Sequence, residues 1–561
     1  MVFRPNIQTI YYFERMIPLE RKWLAAYEPG ISDHLEYPRI TLPEVLRNIS
    51  QKFPNNTAMV YLDHLWSYRE LNTLVSQMSN LLISLSIKPG DRVGIHLVNS
   101  PQFVIAYYGL LRTGAIAVPI NPNSSGDDFQ FIVKNSGLKL LVTSCHSLLN
   151  IQPKTCNTVK ILVTDPYNVF NSNQTYSLDH SADVIRLEQV LFSQLDSDPG
   201  LVVDPDAYAN LQYTGGTTGR SKGAILSHYN LVANALQVRH WFKNVYLDGE
   251  GRFLCVIPFY HIYGMTTTMN FVLVSGSTML IHHKFELPEL VHTIEKYKPN
   301  LFMAVPAMYG AFVMRQEHPD MRSIKACMSG SAPLPLAIQQ KFEQLSGGKL
   351  VEGYGLTEAS PVVSCNPIYG IAKNGSIGLP LPDTEVMLVN PATGAEIVTP
   401  GEVGELLVKG PQVMHGYWEQ PEETALTLKN GWLYTGDLVR MDEAGYIYIA
   451  DRLKDMIISG GEKIYPREVE DLLYTHPAVK ETAVVGVTHP LRGEIPSAFV
   501  VLKEGCTVDE RELKRFCAKH LTKYKVPHSF KFVEELPRSA VGKILKSVLR
   551  ESAKELEPIF L

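Results

Sequence analysis

A glycine-rich stretch at residues 213–223 constrains the fold more than any other feature of this chain. Its eleven residues, YTGGTTGRSKG, include four glycines, four aliphatic hydroxyl side chains and two cations. Glycine lets backbone N–H groups approach a phosphate closely, the hydroxyls donate further hydrogen bonds, and the lysine supplies a point charge. The stretch follows a weak strand pattern at 209–213 and precedes a helix pattern at 228–241 that Ser227 is suited to cap. A turn between such elements typically binds the phosphates of a nucleotide.

The spacing of this stretch differs from two common phosphate-binding motifs. Two residues separate Gly219 from Lys222, so the pattern GxxxxGK does not fit, and the glycines do not follow GxGxxG. A flexible surface turn is the alternative, although such turns seldom combine this glycine density with a lysine. The residues alone therefore predict a phosphate-binding loop of another kind.

Length and composition are typical of a large soluble enzyme. The 561 residues are too many for one hydrophobic core and indicate three or four domains or subdomains. A net charge of −5 argues against a general nucleic-acid-binding protein. The seven cysteines are dispersed without a CxxC pair, which favours reduced thiols in the cytoplasm over disulfides or a zinc site.

No segment has the pattern of a signal peptide or of a membrane-spanning helix. Charged residues interrupt residues 1–22, and the most apolar run, 103–120, contains Arg112, Gly114 and Pro119. That run predicts a buried helix followed by a strand. The sequence predicts a cytoplasmic protein, and it leaves peripheral contact with a membrane and a homodimer open.

Strand and helix patterns alternate over most of the chain before residue 384. The predicted strands there include 58–62, 92–98, 115–119, 138–143, 253–257, 301–306 and 326–329. Capping boxes at 41–44 and 67–70 predict the first turns of two helices. The alternation predicts crossover units and parallel sheets that are covered on both faces. The polar and irregular residues 150–200 predict a connector between two α/β lobes, with one strand at 161–164.

Shorter strands follow residue 384, with a predicted hairpin around residues 442–445. In the last part of the chain, the patterns predict a compact α/β module. Its predicted elements are strands at 482–487, 497–502 and 530–533 and a helix opened by a capping box at 507–510.

The glycine-rich stretch resembles the phosphate-binding signature of the adenylate-forming enzymes, which include acyl-CoA synthetases, luciferases and the adenylation domains of peptide synthetases. Ser221 stands where the family usually has a proline. The Gly-Gly variant and residues 23–30 are similar to bacterial medium- and long-chain fatty-acyl-CoA ligases. The resemblance extends to about residue 546. It implies an α/β fold with a large N-terminal AMP-binding domain, residues 1–453, made of two α/β lobes and a small β-barrel-like part. A small, mobile α+β C-terminal domain, residues 454–561, follows.

The resemblance implies an ATP- and AMP-binding site drawn from several motifs. The residues are Thr214, Gly215, Gly216, Thr217, Thr218, Gly219 and Lys222 of the glycine-rich stretch, then Gly330, Ser331, Ala332, Pro333, Gly353, Tyr354, Gly355, Thr357, Asp437 and Arg452. In the family, Tyr354 would stack on adenine, Thr357 would contact phosphate and Asp437 would bind the ribose hydroxyls. Glu358 and Thr214 are the implied Mg²⁺ ligands.

Three residues carry the implied catalytic roles. Lys543 matches the lysine that stabilises charge while a carboxylate attacks the α-phosphate. His261, in the run PFYHIYG, matches a histidine near the acyl carboxylate, and Glu358 would hold Mg²⁺. Without the resemblance, each has an ordinary alternative: an exposed lysine, a core histidine and a surface glutamate.

The resemblance also implies a rotation of the C-terminal domain about Lys454. Ser459, Gly460 and Gly461 would then meet the pantetheine arm of coenzyme A. For the charged run 451–455, a solvated turn is the alternative. Contacts from Ile458 or Lys463 stay open, because the family often has a basic or aromatic residue there.

The implied activity is that of an ATP-dependent fatty acid–CoA ligase, with ATP, Mg²⁺ and coenzyme A as cofactors. Met265, Met269 and Val272 are candidates for an apolar acyl tunnel. The chain length of the acid stays open, because the tryptophan that gates this tunnel in some long-chain enzymes falls near Met265. The alternatives are an aryl-acid CoA ligase, an enzyme that loads a carrier protein, and a nucleotide-binding regulator without turnover. Lys543 and Glu358 argue against the regulator.

Overall fold

Four β-sheets organise the chain in the computed structural model, and helices pack against them. The structure describes residues 21–124, 126–150, 159–167, 184–214, 221–538 and 543–556. Parallel strands alternate with helices in two of the sheets, which confirms the α/β fold class. Most of the glycine-rich stretch, residues 215–220, lies outside the described residues.

The first α/β lobe is built on an eight-stranded sheet. In spatial order its strands are Gly416–Tyr417, Lys222–Ser227, Tyr208–Thr214, Ile116–Pro119, Arg92–His96, Leu140–Ser144, Lys160–Thr164 and Val184–Arg186. The strands from Tyr208–Thr214 onward are parallel, and the first two run antiparallel to their neighbours. The last two strands come from the stretch 150–200. The predicted strand at 161–164 is present as Lys160–Thr164, and Val184–Arg186, which was not predicted, pairs with it at the edge of the sheet.

The second lobe is built on a nine-stranded sheet. In spatial order its strands are Leu379–Pro380, Val362–Cys365, Lys349–Gly355, Ala326–Ser329, Leu301–Ala304, Arg252–Cys255, Thr278–Ile281, Thr57–Tyr61 and His64–Ser67. The six strands from Lys349–Gly355 to Thr57–Tyr61 are parallel. The largest hydrophobic core joins the lobes, because it contains Ile95 and Val142 from the first sheet and Phe253 and Met279 from the second.

Two five-stranded sheets complete the fold. An antiparallel sheet stands in the place of the predicted β-barrel-like part, with strands Glu385–Val389, Val403–Lys409, Trp432–Met441, Leu428–Lys429 and Ile447–Arg452. The C-terminal sheet has strands Glu462–Ile464, Ile457–Ser459, Gly493–Leu502, Val479–His489 and Ser529–Phe532. The predicted hairpin around 442–445 is present, since Trp432–Met441 and Ile447–Arg452 pair antiparallel across it.

The helices cover the sheets and are spread along the chain. Their bounds are Leu42–Lys52, Tyr68–Ser84, Pro101–Arg112, Gly126–Ser136, Cys145–Asn150, Leu187–Val190, His228–Trp241, Ile262–Gly264, Phe271–Val274, Leu287–Tyr297, Pro306–Val313, Leu336–Ser346, Pro421–Thr427, Pro466–Tyr474, Glu510–His520 and Lys546–Leu556. A π-helix, Met265–Asn270, and four short 3₁₀ helices, Lys22–Ala26, Leu191–Ser193, Thr357–Ala359 and Lys523–Lys525, complete the set. In the described ranges, no helix has both the length and the apolar character needed to span a bilayer.

Side-chain caps define several helix starts. Thr41 and Ser67 each form the predicted capping box, with Glu44 and Glu70. The predicted box at 507–510 was wrong: Asp509 is the cap of helix Glu510–His520, and its carboxylate accepts a hydrogen bond from the Glu512 amide. An aspartate directly before the helix can bond to the N3 amide itself, so the helix starts later than the pattern indicated.

Substitution of Gly378 tests how tightly the second sheet is built. Gly378 has φ +82°, and a Cβ there would lie 2.0 Å from the Cys365 carbonyl carbon. Gly375 has φ +76° but no atom within 4 Å of its Cβ position. We expect Gly375→Ala to cost about 1–2 kcal/mol for the left-handed backbone alone. Gly378→Ala should cost about 1–3 kcal/mol more, because backbone atoms cannot yield as a flexible side chain does. Thermal unfolding midpoints measure both variants, and equal midpoints would contradict the close contact.

Candidate active site

One cleft of about 1440 Å³ collects residues from both lobes, the antiparallel sheet and the C-terminal segment. The predicted site residues that line it are Thr214, Lys222, His261, Gly330, Ser331, Ala332, Pro333, Gly353, Tyr354, Gly355, Thr357, Glu358, Asp437, Arg452, Lys454 and Lys543. Gly215, Gly216, Thr217, Thr218 and Gly219 lie outside the described residues. Several lining segments directly follow parallel strands, at the edge where open α/β sheets bind their ligands.

A buried carboxylate marks one end of the cleft. Asp437 is 5% exposed, and its Oδ1 lies 3.1 Å from Nε of Arg452. The Tyr354 hydroxyl donates a hydrogen bond of 2.6 Å to Asp437 Oδ2. Burial alone would lower the pKa of Arg452, but the charge of Asp437, together with smaller contributions from Tyr354, Asp455 and Glu358, raises that pKa above its usual value. A carboxylate held in this way can accept hydrogen bonds from a ligand hydroxyl without changing its own position.

Glycines make one wall of the cleft flat. A Cβ at Gly353 would lie 2.7 Å from Met328 Sδ, and one at Gly355 would lie 2.2 Å from the Pro361 carbonyl oxygen. These close approaches leave no room for a side chain. The wall therefore presents bare backbone beside Tyr354, which suits a planar ligand.

The two ends of the glycine-rich stretch meet at the opposite part of the cleft. Thr214 and Lys222 are paired in the register of neighbouring antiparallel strands. The Lys222 ammonium forms an ion pair with Glu423 and lies 5.2 Å from the centre of the Tyr417 ring. Thr214 and Lys222, which flank residues 215–220, therefore both line the cleft.

Glu358 lies in the 3₁₀ turn Thr357–Ala359 on the wall of the same cleft. Its Oε1 accepts a hydrogen bond of 2.7 Å from the Tyr417 hydroxyl. Its backbone carbonyl accepts another from the Met414 amide, at 2.8 Å. Within the described residues no group of three or more acidic, histidine or cysteine side chains could hold a metal by itself. Mg²⁺ commonly takes one or two protein carboxylates together with substrate phosphates, so Glu358 fits that ion in donor chemistry.

Lys543 enters the cleft from the C-terminal segment. Burial, followed by the charge of Arg452, lowers the pKa of Lys543 to about 7. Burial and the charge of Lys543 lower the pKa of His261 to about 4. Lys454 also lines the cleft, and burial and Arg452 lower its pKa. The positive charges of Arg452, Lys454 and Lys543 lie close enough to affect one another, so the cleft favours an anionic ligand.

The turn predicted to meet coenzyme A does not line this cleft. Ser459 pairs with Glu462 across a tight hairpin in which Gly460 has φ +60° and Gly461 has φ +89°. The Gly460 amide donates a hydrogen bond to the Arg492 carbonyl at 2.8 Å. The structure therefore brings Lys543 to the cleft and leaves this turn outside it.

Several residues of the cleft were not predicted from the sequence. Tyr417 and Glu423 contact predicted residues but have no motif of their own. Glu352 is buried and accepts hydrogen bonds from the Leu334 and Gly375 amides, and burial raises its pKa. An acidic residue directly after the apolar pair Leu350 and Val351 in the strand Lys349–Gly355 is a signal that could have revealed it. The three tunnel candidates are fully buried in the core and do not line the cleft: Met265, Met269 and Val272.

Comparisons with known proteins agree with this geometry. The chain matches the AMP-binding enzyme family over residues 46–418 and the AMP-binding enzyme C-terminal domain over residues 468–543. A long-chain-fatty-acid–CoA ligase of Bacillus subtilis (strain 168) is 42% identical over 557 residues, which cover 96% of this chain and 99% of that protein.

Two solved structures share the fold over nearly the whole chain. ATP-bound MatB from Rhodopseudomonas palustris has a TM-score of 0.82 and 28% identity, and the match covers 92% of this chain and 100% of MatB. o-Succinylbenzoate coenzyme A synthetase from Bacillus subtilis, in complex with ATP and magnesium ion, has a TM-score of 0.77 and 29% identity. The match covers 91% of this chain and 99% of the synthetase. The resemblance carried by the glycine-rich stretch is thereby confirmed, and the chain belongs to the AMP-binding enzyme family.

Proposed function

We propose that the cleft joins a carboxylic acid to AMP and then passes the acyl group to coenzyme A. The chain is an AMP-forming fatty acid–CoA ligase that uses ATP, Mg²⁺ and coenzyme A, with medium- or long-chain fatty acids as the preferred acids. One observation carries the assignment of the site: Glu358, Asp437 and Lys543, from three separate parts of the chain, face one cleft. A cytoplasmic location, peripheral contact with a membrane and a homodimer stay predictions of the sequence.

The nucleoside of ATP would bind between the glycine wall and Asp437. Tyr354 presents its ring beside the wall while its hydroxyl is engaged by Asp437. The carboxylate, already oriented by Tyr354 and Arg452, would accept hydrogen bonds from the ribose hydroxyls. Because these groups are preset, little conformational entropy is lost when the nucleoside binds.

The triphosphate would extend from this end toward Thr214 and Lys222. Bound Mg²⁺, held by Glu358 and the phosphates, would neutralise charge on the leaving pyrophosphate. Lys222 must leave Glu423 to reach a phosphate, so an exchange of ion pairs accompanies binding. Lys543 would place its ammonium beside the α-phosphate, where negative charge increases as the fatty-acid carboxylate attacks. The phosphoanhydride bond breaks, and acyl-AMP and pyrophosphate form.

His261 would act as a neutral hydrogen-bond donor to the acid. Its Nδ1 accepts a hydrogen bond from the Tyr263 amide at 3.2 Å. A pKa of about 4 keeps the ring neutral at pH 7, so the proton lies on Nε2. Nε2 can then donate to the carboxylate without forming an ion pair that would weaken it as a nucleophile.

The second half-reaction would need a different arrangement of the C-terminal segment. We propose that this segment, residues 454–561, turns about Lys454, withdraws Lys543 and brings Ser459, Gly460 and Gly461 to the cleft. The thiol of coenzyme A would attack the acyl carbonyl, and AMP would leave with the electrons of the C–O bond. Domain rotation of this kind lets one cleft catalyse two reactions in sequence.

A panel of acids tests the proposed function. ATP–pyrophosphate exchange is measured with palmitate, octanoate and benzoate, and thioester formation is then measured after addition of coenzyme A. We expect exchange and thioester with one or both fatty acids, AMP as the nucleotide product, and a weaker response to benzoate. Release of ADP, a preference for benzoate, or transfer to a carrier protein but never to coenzyme A would each contradict the assignment.

Removal of Lys543 should separate the two half-reactions. Lys543→Ala is expected to lower the adenylation rate at least about 100-fold, as loss of one charge-stabilising group does in other enzymes. Thioester formation from supplied acyl-AMP should change little, because Lys543 is withdrawn in that step. Lys523→Ala, an exposed lysine in the same segment, is the matched control. Equal losses in both half-reactions would contradict the role given to Lys543.

The pH dependence of adenylation should report the lowered pKa of Lys543. The ammonium is the active form, so kcat/KM for ATP should fall as the pH rises through about 7, the pKa of this group in the free enzyme. In Lys543→Arg the guanidinium stays charged, and this fall should disappear even if the rate is lower. Exchange assays from pH 6 to 9 measure both profiles. A wild-type profile that is flat up to pH 9 would show that burial does not lower this pKa.

A further inference from the structure

Tyr417 contacts two predicted site residues that belong to different sequence motifs, Lys222 and Glu358. It is 8% exposed and lies on the short strand Gly416–Tyr417, opposite Ala224 of the strand that follows the glycine-rich stretch. Its amide donates a hydrogen bond of 2.9 Å to Thr424 Oγ1. Both its strand partner and Thr424 therefore hold its backbone, and the ring is fixed at the wall of the cleft.

The hydroxyl of Tyr417 orients Glu358. It donates a hydrogen bond of 2.7 Å to Glu358 Oε1, across 59 positions of the chain. A carboxylate on a short turn can rotate about its last torsion, and a hydrogen bond to one oxygen restricts that rotation.

The face of the same ring lies against Lys222. The ammonium is 5.2 Å from the ring centre and is paired with Glu423. A cation at this distance from the face of an aromatic ring is attracted by the π electrons of the ring, which is a cation–π interaction. Tyr417 therefore contacts the phosphate-binding lysine with its ring and the carboxylate predicted to hold Mg²⁺ with its hydroxyl.

We propose that Tyr417 is a positioning residue that presets Glu358 for the magnesium ion of Mg–ATP and keeps Lys222 beside it. This rests on the proposed function. The tyrosine itself contacts neither phosphate nor acid; it acts through Glu358 and Lys222. Hydrogen-bond donors behind a metal ligand commonly change metal affinity 10- to 100-fold when removed, which sets the size of the effect.

Tyr417→Phe separates the two contacts, because it removes the hydroxyl and keeps the ring under Lys222. Binding of ATP is measured by calorimetry without fatty acid, over a series of Mg²⁺ concentrations. We expect the Mg²⁺ concentration for half-maximal enhancement of ATP binding to rise about 10-fold or more. Affinity for ATP in the presence of EDTA should stay near the wild-type value. Tyr417→Leu, which removes the ring as well, should weaken ATP binding in EDTA too.

A double-mutant cycle tests whether Tyr417 acts through Glu358. In a Glu358→Gln background, Tyr417→Phe should cause no further shift in Mg²⁺ dependence, because the ligand that it orients is already lost. An equal shift in both backgrounds would overturn the proposal and indicate a general structural effect.

If Tyr417→Phe does not fold, Thr424→Val serves as a second variant, since it removes the acceptor of the Tyr417 amide and should shift Mg²⁺ dependence in the same direction.

Tyr448→Phe is the matched control. Its hydroxyl donates to Asp442 Oδ2 at 3.2 Å, and Arg440 lies 4.6 Å from its ring centre, but it does not line the cleft. It should leave Mg²⁺ dependence unchanged.

A wild-type protein that binds no ATP would overturn the proposed function as well. A normal wild-type response with an unchanged Tyr417→Phe response would overturn the role of Tyr417 alone.

Discussion

The ion pair between Asp437 and Arg452 fixes the geometry on which the rest of the cleft depends. The residues stand opposite each other in the register of two antiparallel strands, and Tyr354 from another sheet donates to the same carboxylate. Loss of either charge would leave the other partly buried without a partner, which is costly. Through the Tyr354 hydroxyl, Asp437 therefore links the antiparallel sheet to the nine-stranded sheet. It also holds the Arg452 charge where it lowers the pKa of Lys543.

The basic groups of the cleft favour ATP over AMP electrostatically, although both ligands belong to the same reaction cycle. Arg452, Lys454 and Lys543 influence one another enough for Arg452 to lower the pKa of both lysines. A triphosphate relieves this repulsion more than AMP does, because it carries more negative charge. The arrangement with Lys543 in the cleft is therefore favoured most before pyrophosphate leaves. In the proposed reaction, departure of pyrophosphate would weaken the attraction that holds Lys543, after the step in which this lysine is proposed to act.

Local signals made part of this structure predictable from sequence. The helix His228–Trp241 has its predicted bounds because Ser227 caps it. His261, Gly330 and Tyr354 line one cleft because the parallel strands that carry them or lead to them end at the same edge of the nine-stranded sheet. Other features depend on distant pairing. Val184–Arg186 is too short to show a period and becomes a strand through its neighbour Lys160–Thr164. Glu423 contacts Lys222 across 201 positions, so no local pattern could have assigned it to the site.

The contacts around Lys454 limit how the C-terminal segment can move. Lys543 and the turn at Gly460 both belong to this segment, yet only Lys543 lines the cleft. Asp451, which precedes Lys454, accepts a hydrogen bond of 2.9 Å from the Arg467 amide in the first turn of helix Pro466–Tyr474. That bond crosses the proposed hinge, so a rotation about Lys454 must break it. The bond between the Leu453 amide and the Gly436 carbonyl, 2.8 Å long, lies wholly before the hinge and can persist. A rotation that preserves the bond between Leu453 and Gly436 and breaks the one to Arg467 would place the change in backbone angles between residues 454 and 466.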